Sequence, residues 1–297
     1  MRILNFGSLN IDYTYRVEHI VRPGETITSR KLEIFPGGKG LNQSIALAKA
    51  GASVCHAGLI GEDGAFLKDI CKEAGVDVSL IRESNVRTGN AIIQVSDQGQ
   101  NSILLFPGAN REMTEGYIRE VLGYFEEGDI LLLQNEINLI DVLIEKGKEK
   151  GMKVVLNPSP FDERLGQCDL DKVDLFFLNE VEGEQITGEK EPAAILSEMK
   201  ERFPDAEVVL TVGAEGAYYS DGKDVVYQEA FPVKAVDTTA AGDTFTGFFL
   251  AAAMEGALGA EALRRAAKAS SIAVSREGAS VSVPTKEEVD GQLNSKS

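Results

Sequence analysis

Short, continuous apolar runs punctuate this chain, and between most of them lies a segment with helical periodicity. The runs Arg2–Gly7, Ser53–Ile60, Asp129–Leu133, Lys153–Leu156, Leu175–Leu178 and Val208–Thr211 predict strands buried on both faces. Helices are predicted at 44–50, about 61–74, 114–123, 138–150, 192–203, 259–275 and 285–293, with Gly51 and Gly75 stopping the first two. Such alternation builds a parallel sheet covered by helices. Two stretches break the rhythm. Residues 13–17 and 26–34 flank a turn at Arg22-Pro23-Gly24-Glu25, and 88–95 and 101–106 flank Asp97-Gln-Gly-Gln100, with Ala91, Ile93 and Val95 on one face. These β-rich segments, at about 12–35 and 88–107, are expected to form a small lid within a single α/β domain, 1–297.

Polar residues gather just past the predicted strands: Asn10 and Asp12; Gln134, Asn135 and Glu136; Asn157; Asn179 and Glu182; Thr211, Gly213 and Gly216. Any one of them reads equally as a turn or cap, Asp12 included. Repeated at five strands, the pattern points to one crevice along the sheet's carboxyl edge.

The densest chemistry lies in Ala235-Val-Asp237-Thr-Thr-Ala-Ala-Gly242-Asp243-Thr-Phe-Thr-Gly247, which runs into the apolar segment Phe248–Met254 and ends at Gly256. A turn of small residues feeding a helix makes an anion pocket, because the first N–H groups lack intrahelical partners and carry the positive end of the macrodipole. Gly242, with no Cβ, admits a ligand close to the backbone. An aspartate directly after it would repel that anion unless it takes a proton from a nucleophile attacking the anion, which is the logic of phosphoryl transfer. A plain helix cap is the competing reading of Asp243.

Upstream, Pro36-Gly37-Gly38-Lys39-Gly40-Leu41-Asn42-Gln43 opens a helix, and its glycines and Asn42 suit a polyhydroxylated ligand. The Gly-Lys-Ser/Thr ending of a Walker A loop is missing. Gln43 stands where a dinucleotide fingerprint needs its last glycine, which argues against a nicotinamide dehydrogenase.

Composition narrows the classes further. With 47 acidic against 30 basic residues the net charge is −17, which argues against nucleic acid or anionic membrane as partners. No apolar stretch reaches the length of a membrane span, and Met1–Gly7 is too short an apolar run for a signal peptide, so a soluble cytoplasmic protein is expected. Cys55, Cys71 and Cys168 show no CxxC spacing and read as reduced thiols. His19 and His56 are the only histidines, which disfavours a His-based triad or zinc site.

Together, Gly7-Ser8-Leu9-Asn10-Ile11-Asp12, Gly37–Gln43, Asn179-Glu180-Val181-Glu182 and Asp237–Phe245 resemble, in order and over nearly the whole chain, the ribokinase-like (PfkB) family of carbohydrate kinases. Asn101, Gly108-Ala109-Asn110 and Arg276-Glu277-Gly278-Ala279 add to the likeness. The resemblance implies a three-layer α/β/α sandwich with a mostly parallel central sheet and a small β-sheet lid. It implies transfer of the γ-phosphate of ATP to the primary (O5) hydroxyl of a sugar, with ribose the expected acceptor. Asn10, Asp12, Gly38, Lys39, Gly40 and Asn42 would hold the sugar, with Glu136 near. Asp243 would be the base, and Ala240, Ala241 and Gly242 the anion hole.

The resemblance further implies that Thr211, Gly213, Gly216 and Gly242 line the ATP site, and that Asn179 and Glu182 organise Mg²⁺ and the phosphates through water. A monovalent cation, K⁺, would be held by Asp237, Thr239, Ala273, Arg276, Gly278 and Ser282, mostly through backbone carbonyls. Otherwise Asp237 caps a turn and the 276–282 stretch is a connector. Leu41 and Asn135 depart from the family's usual Ala and apolar residue. A same-fold kinase for fructose, deoxyribose or a nucleoside is the nearest alternative, ahead of a non-catalytic sugar-binding protein. A homodimer through the lid is the assembly considered.

Overall fold

The computed structural model describes residues 1–257 and 259–295. Strand β1 (Ile3–Phe6) leads through Gly7 into β2 (Asn10–Val17), β3 (Lys31–Gly37) and helix α1 (Lys39–Lys49). Next come β4 (Val54–Ile60), α2 (Ala65–Glu73), β5 (Asp77–Glu83), β6 (Gly89–Ser96) and β7 (Asn101–Phe106). The middle holds α3 (Glu115–Leu122), β8 (Ile130–Gln134), α4 (Ile140–Glu149), β9 (Lys153–Asn157), β10 (Leu175–Asn179), α5 (Glu180–Thr187) and α6 (Pro192–Arg202). The last part runs β11 (Glu207–Thr211), β12 (Gly216–Ser220), β13 (Val225–Glu229), α7 (Ala241–Met254), α8 (Ala260–Ala273) and α9 (Lys286–Asn294).

Nine strands form one sheet in the order β13-β12-β11-β10-β9-β8-β1-β4-β5. It is parallel from β5 to β11, and β12 and β13 close the far edge antiparallel. Successive side chains of a strand point to opposite faces. Ile3, Leu132, Val155 and Phe177 therefore join the core shared with α1, α7, α8 and α9, while Leu4, Leu131, Leu133 and Phe176 join the core shared with α3, α4 and α6. Both faces are covered, which is why the strands read as unbroken apolar runs.

The chain winds one way from β1 through β4 to β5, and the other way from β8 through β9 and β10 to β11. Between β1 and β8 lies the switch point, where an open α/β sheet leaves a crevice at its carboxyl edge. A second sheet, β3-β2-β6-β7, contributes Ala91, Ile93 and Val95 to the wall of the cavity at that edge.

Several expected boundaries move. The strand expected from residue 26 begins at Lys31, because the ladder with β2 runs only from Asn10–Gly37 to Arg16–Lys31. The 61–74 helix begins as a 3₁₀ turn, Glu62–Gly64, before α2. Helix α1 begins at Lys39, five residues before its expected start, because its first N–H is bonded from outside: Lys39 N donates to the Glu136 carboxylate at 3.0 Å. Strands β5, β12 and β13 and helix α5 were not expected. Their apolar content is interrupted or half exposed, as in Val225–Glu229, so no periodic run marks them.

Helix α7 is buried from Asp243 to Ala252. A Cβ on Gly247 would lie 2.5 Å from the Ala46 Cβ and 2.8 Å from Leu47 N, so the glycine lets the α1 and α7 backbones touch. This crossing carries Asn42 and Gln43 to Asp243.

Candidate active site

Asp243 stands in the first turn of α7 and is 6% exposed. It does not cap its helix. Its Oδ2 accepts from Asn42 Nδ2 at 3.1 Å and its Oδ1 from Gln43 Nε2 at 2.9 Å. The residue before the helix, Ala240, adopts left-handed backbone with φ 59°, a strained choice for a residue with a Cβ. That twist starts the helix abruptly. Ala241 N donates back to Thr238 O, and Gly242 and Asp243 follow in the first turn, where N–H groups have no partner within the helix. Beside Gly242 the space is open, since a Cβ there would meet nothing within 4 Å.

Two cavities adjoin at this turn. One, of about 890 Å³, is walled by the lid, by Asn10, Asp12, Gly38, Lys39, Asn42 and Glu136, and by Ala240 and Asp243. The other, of about 630 Å³, is walled by Thr211, Gly213, Gly216, Phe231, Ala241, Gly242 and Val274. Both reach Ala235 and Thr238, so the 235–243 turn is their common wall. The larger is rich in groups that bind hydroxyls. The smaller presents aromatic and aliphatic carbon with a few polar groups, which suits a flat heterocycle.

Each polar group of the larger cavity is set by a neighbour. Asn10 Oδ1 accepts from Asn110 Nδ2 at 2.8 Å, and Asn110 Oδ1 in turn accepts from Leu9 N at 3.0 Å. Asn10 is thus held with its N–H₂ turned outward. A Cβ on Gly37 would lie 2.1 Å from the Asp12 carboxylate, so only glycine there leaves room for it. Ser8 Oγ donates to Glu136 and accepts from Gly40 N at 3.2 Å, pinning the loop after β1 to the start of α1. Asn42 spends its N–H₂ on Asp243 and leaves Oδ1 buried and unpaired, an acceptor that a ligand hydroxyl would satisfy. Burial works to lower the Lys39 ammonium, but the charges of Asp243, Glu136 and Glu182 hold it above its usual range.

Burial, with the Glu136 charge adding, pushes the Asp12 carboxyl up to about 7. A raised carboxyl keeps its proton below that pH, whereas hydroxyls that donate to it favour the ionised form. Sugar binding is therefore expected to expel a proton near pH 6 and to weaken as pH falls below 7, by up to about tenfold per unit. Above 8 it should be flat. Calorimetry in two buffers of different ionisation enthalpy measures the proton directly, and Asp12→Asn should abolish its release.

Asn179 and Glu182 form a capping box on α5: Asn179 Oδ1 accepts from Val181 N and Glu182 N, and Glu182 Oε2 accepts from Asn179 N at 2.9 Å. Neither walls the two cavities, although the Glu182 charge reaches Lys39. Asp237 Oδ1 accepts from Thr239 N at 2.9 Å and Oδ2 from Gly278 N at 3.0 Å, joining the turn before α7 to the loop after α8. Ala273 O accepts from Arg276 N, the Arg276 guanidinium is turned to Glu288, and Ser282 Oγ donates to Ala279 O. Ser280 Oγ in the same loop is buried without a partner. Of the two departures, Leu41 lies wholly in the core and Asn135 donates to Pro160 O at 2.7 Å, so neither side chain walls the larger cavity. Ser8, Gln43 and Asn110 lie within motifs that carried the resemblance, and Gln134 among the polar residues past the strand ends, but the sequence assigned none of the four a role of its own.

A two-cavity cleft with a lid, a helix N-terminus between the cavities and a carboxylate at that terminus is the arrangement of a sugar phosphotransferase. The chain belongs to the pfkB family of carbohydrate kinases, whose sequence model matches residues 2–286. It is 37% identical over 293 residues to the ribokinase of Haemophilus influenzae, covering 95% of each chain. Among solved structures, it is similar to the ribokinase of Thermotoga maritima (32% identity, TM-score 0.87, 99% of both chains). It is similar also to Arabidopsis thaliana ribokinase complexed with ribose and ATP (30% identity, TM-score 0.86, 98% of both chains).

Proposed function

We propose that this chain transfers the γ-phosphate of ATP to the O5 hydroxyl of D-ribose. The observation that carries the reading is the meeting of the two cavities at the α7 N-terminus, with Asp243 on the wall of the larger and Gly242 on the wall of the smaller. The sugar lies under the lid against Asn10, Asp12, Gly38, Lys39, Gly40, Asn42 and Glu136. ATP lies in the smaller cavity along Thr211, Gly213 and Gly216, with its γ-phosphate over Gly242. Asp243 takes the O5 proton as the O5–phosphorus bond forms and the bond to the ADP oxygen breaks. Ala240, Ala241 and Gly242 shape the anion hole that receives the developing charge. The lid keeps water from competing for the phosphate. Coupled ADP release across ribose, 2-deoxyribose, fructose and nucleosides tests the acceptor. Ribose should be fastest, and a faster fructose or nucleoside would move the chain to another acceptor.

The residues fit two ions. Mg²⁺ bound with the ATP phosphates would neutralise their charge, with Glu182, and Asn179 behind it, reached through water. At the Asp237 loop, one carboxylate, an unpaired buried hydroxyl at Ser280 and the carbonyls about Ala273, Arg276, Gly278 and Ser282 suit a weakly hydrated monovalent ion such as K⁺ rather than Mg²⁺, which demands tight octahedral geometry. Thr239 lies on the same turn, with its N–H on Asp237 Oδ1. Burial opposes the Asp237 charge, but the bonds from Thr239 and Gly278 hold its carboxyl below the usual range, ready for a cation. Rates in K⁺, Cs⁺, Na⁺ and tetramethylammonium at constant ionic strength should differ, highest in K⁺. Equal rates in all four would remove the site.

A homodimer through the lid is part of this reading. Strand β7 is an open edge, and Leu104 (67% exposed) and Phe106 (49%) stand out from it with Ile92. Sedimentation should give twice the chain mass, and Leu104→Asp should halve it. The three free thiols are in keeping with a cytoplasmic site of action, and among the described residues no helix is long and apolar enough to cross a membrane.

A further inference from the structure

Behind Asp243 runs a line of wholly buried polar side chains that takes no part in holding the sugar or ATP. Gln43 Nε2 donates to Asp243 Oδ1 at 2.9 Å, and Gln43 Oε1 accepts from Gln134 Nε2 at 2.6 Å. The second N–H of Gln134 donates to Asn5 Oδ1 at 3.0 Å. Asn5 Nδ2 donates to Gly40 O and to Ser44 Oγ, each at 2.8 Å. Ser44 Oγ lies 2.8 Å from His56 Nδ1, and His56 Nε2 lies 3.3 Å from Gly7 O. Asn5, Gln43, Ser44, His56 and Gln134 are all 0% exposed.

Chemistry leaves this line one direction. A carbonyl only accepts, so His56 carries its proton on Nε2 toward Gly7 O, and its Nδ1 accepts from the Ser44 hydroxyl. Burial lowers the His56 imidazole to about 4, which keeps it neutral and the tautomer single. Ser44, having spent its proton, must accept from Asn5, so the Asn5 carbonyl faces Gln134 and must be met by N–H₂. Both hydrogens of that N–H₂ are then used, one on Asn5 and one on Gln43. The Gln134 carbonyl pays for this by lying buried without a partner, packed where a Cβ on Gly7 would come within 2.5 Å of it. Turning the Gln134 amide over would satisfy its oxygen with nothing and set it against the oxygens of both Asn5 and Gln43. A group left unpaired in the core has its cost, and here it keeps two neighbouring amides in a single orientation.

We propose that Gln134 is a positioning residue of the active site, fixing the Gln43 amide so that its N–H₂, and not its carbonyl, faces Asp243. The inference rests on Asp243 being the base. A carboxylate receiving two amide N–H groups, one from Asn42 and one from Gln43, is held in one orientation. With Gln134 gone, Gln43 loses the donor that holds its carbonyl away, and the amide is free to turn that carbonyl toward the carboxylate.

The test uses Gln134→Met, Gln43→Met and the double variant in the full chain, with kcat, both KM values and the side-chain amide signals of Gln43. The amide signals are followed by ¹⁵N NMR and assigned with Gln43→Met. Gln134→Met should lower kcat about tenfold, the worth of one hydrogen bond to a charged group. It should leave KM for ATP unchanged and move the Gln43 side-chain N–H₂ signals, because the donor to the Gln43 carbonyl is gone. The double variant should be no worse than Gln43→Met alone, because Gln134 acts only through Gln43. Additive losses in the double variant, or Gln43 amide signals that do not move in Gln134→Met, would overturn the proposal. Should Gln134→Met not fold, the unaltered chain still decides: the side-chain N–H₂ protons of Gln43 and Gln134 must exchange with solvent far more slowly than those of an exposed glutamine. Exchange at the exposed rate would overturn the proposal equally. Normal turnover in Asp243→Asn would sink the base reading, while protection of the Gln43 amide would still report on the relay.

Discussion

Asp243→Asn is expected to lower turnover by roughly 10²–10⁴, the usual worth of a general base, while ribose and ATP affinities change little. Asparagine keeps the size and one carbonyl, so a hydrogen bond from Gln43 or Asn42 survives and α7 keeps its place against α1. What is lost is a group able to take the O5 proton. The loss should appear in kcat and be insensitive to saturating either substrate. A single-turnover measurement with enzyme in excess separates this from slow product release, because the chemical step itself must slow. Near-normal single-turnover rates in Asp243→Asn would remove Asp243 from the chemistry.

The next largest effect is expected at Asp12. An ionised carboxylate accepts from two neighbouring hydroxyls, and hydrogen bonds to a charged group contribute about 1.5–3 kcal/mol each. Asp12→Ala should therefore weaken ribose binding by roughly a hundredfold or more, leaving KM for ATP near its original value. Ribose should outperform 2-deoxyribose in the unaltered chain, because a site built to pair with a hydroxyl strongly rejects the analogue without it. In Asp12→Ala that preference should shrink. Persistence of the full preference would assign the discrimination to Asn10 or Asn42 instead. The same variant should lose the pH dependence of binding, since Asp12 is the carboxyl held near 7 in the cleft.

Much of this architecture is legible in the chain itself, for physical reasons that act over short distances. A parallel strand buried on both faces must be apolar at every position, so Leu175–Leu178 or Ile130–Leu133 announces itself. Gly242 and Asp243 also stand out, because an anion pocket needs a small residue at a helix start and nothing nearby compensates a carboxylate there. Shorter or half-exposed elements did not announce themselves. Strand β13, with residues alternating between exposed and half-buried, and helix α5, with a weak apolar face, are stabilised by what they lie against rather than by their own periodicity.

Polarity and pairing were decided only by the tertiary structure. The early start of α1 depends on Glu136, which is 97 residues from Lys39. Whether Asp243 caps its helix or is held by amides depends on Asn42, 201 residues away, and on Gly247, whose missing Cβ lets α1 and α7 touch. The direction in which Gln43 points its amide depends on Gln134, 91 residues distant. A side-chain amide has two nearly isosteric ends, and which end faces a neighbour is a property of the neighbours, so no local reading of the chain can supply it. Residue types and the strand ends they follow are local facts and were set by the sequence; which atom of each meets which partner was set by the fold.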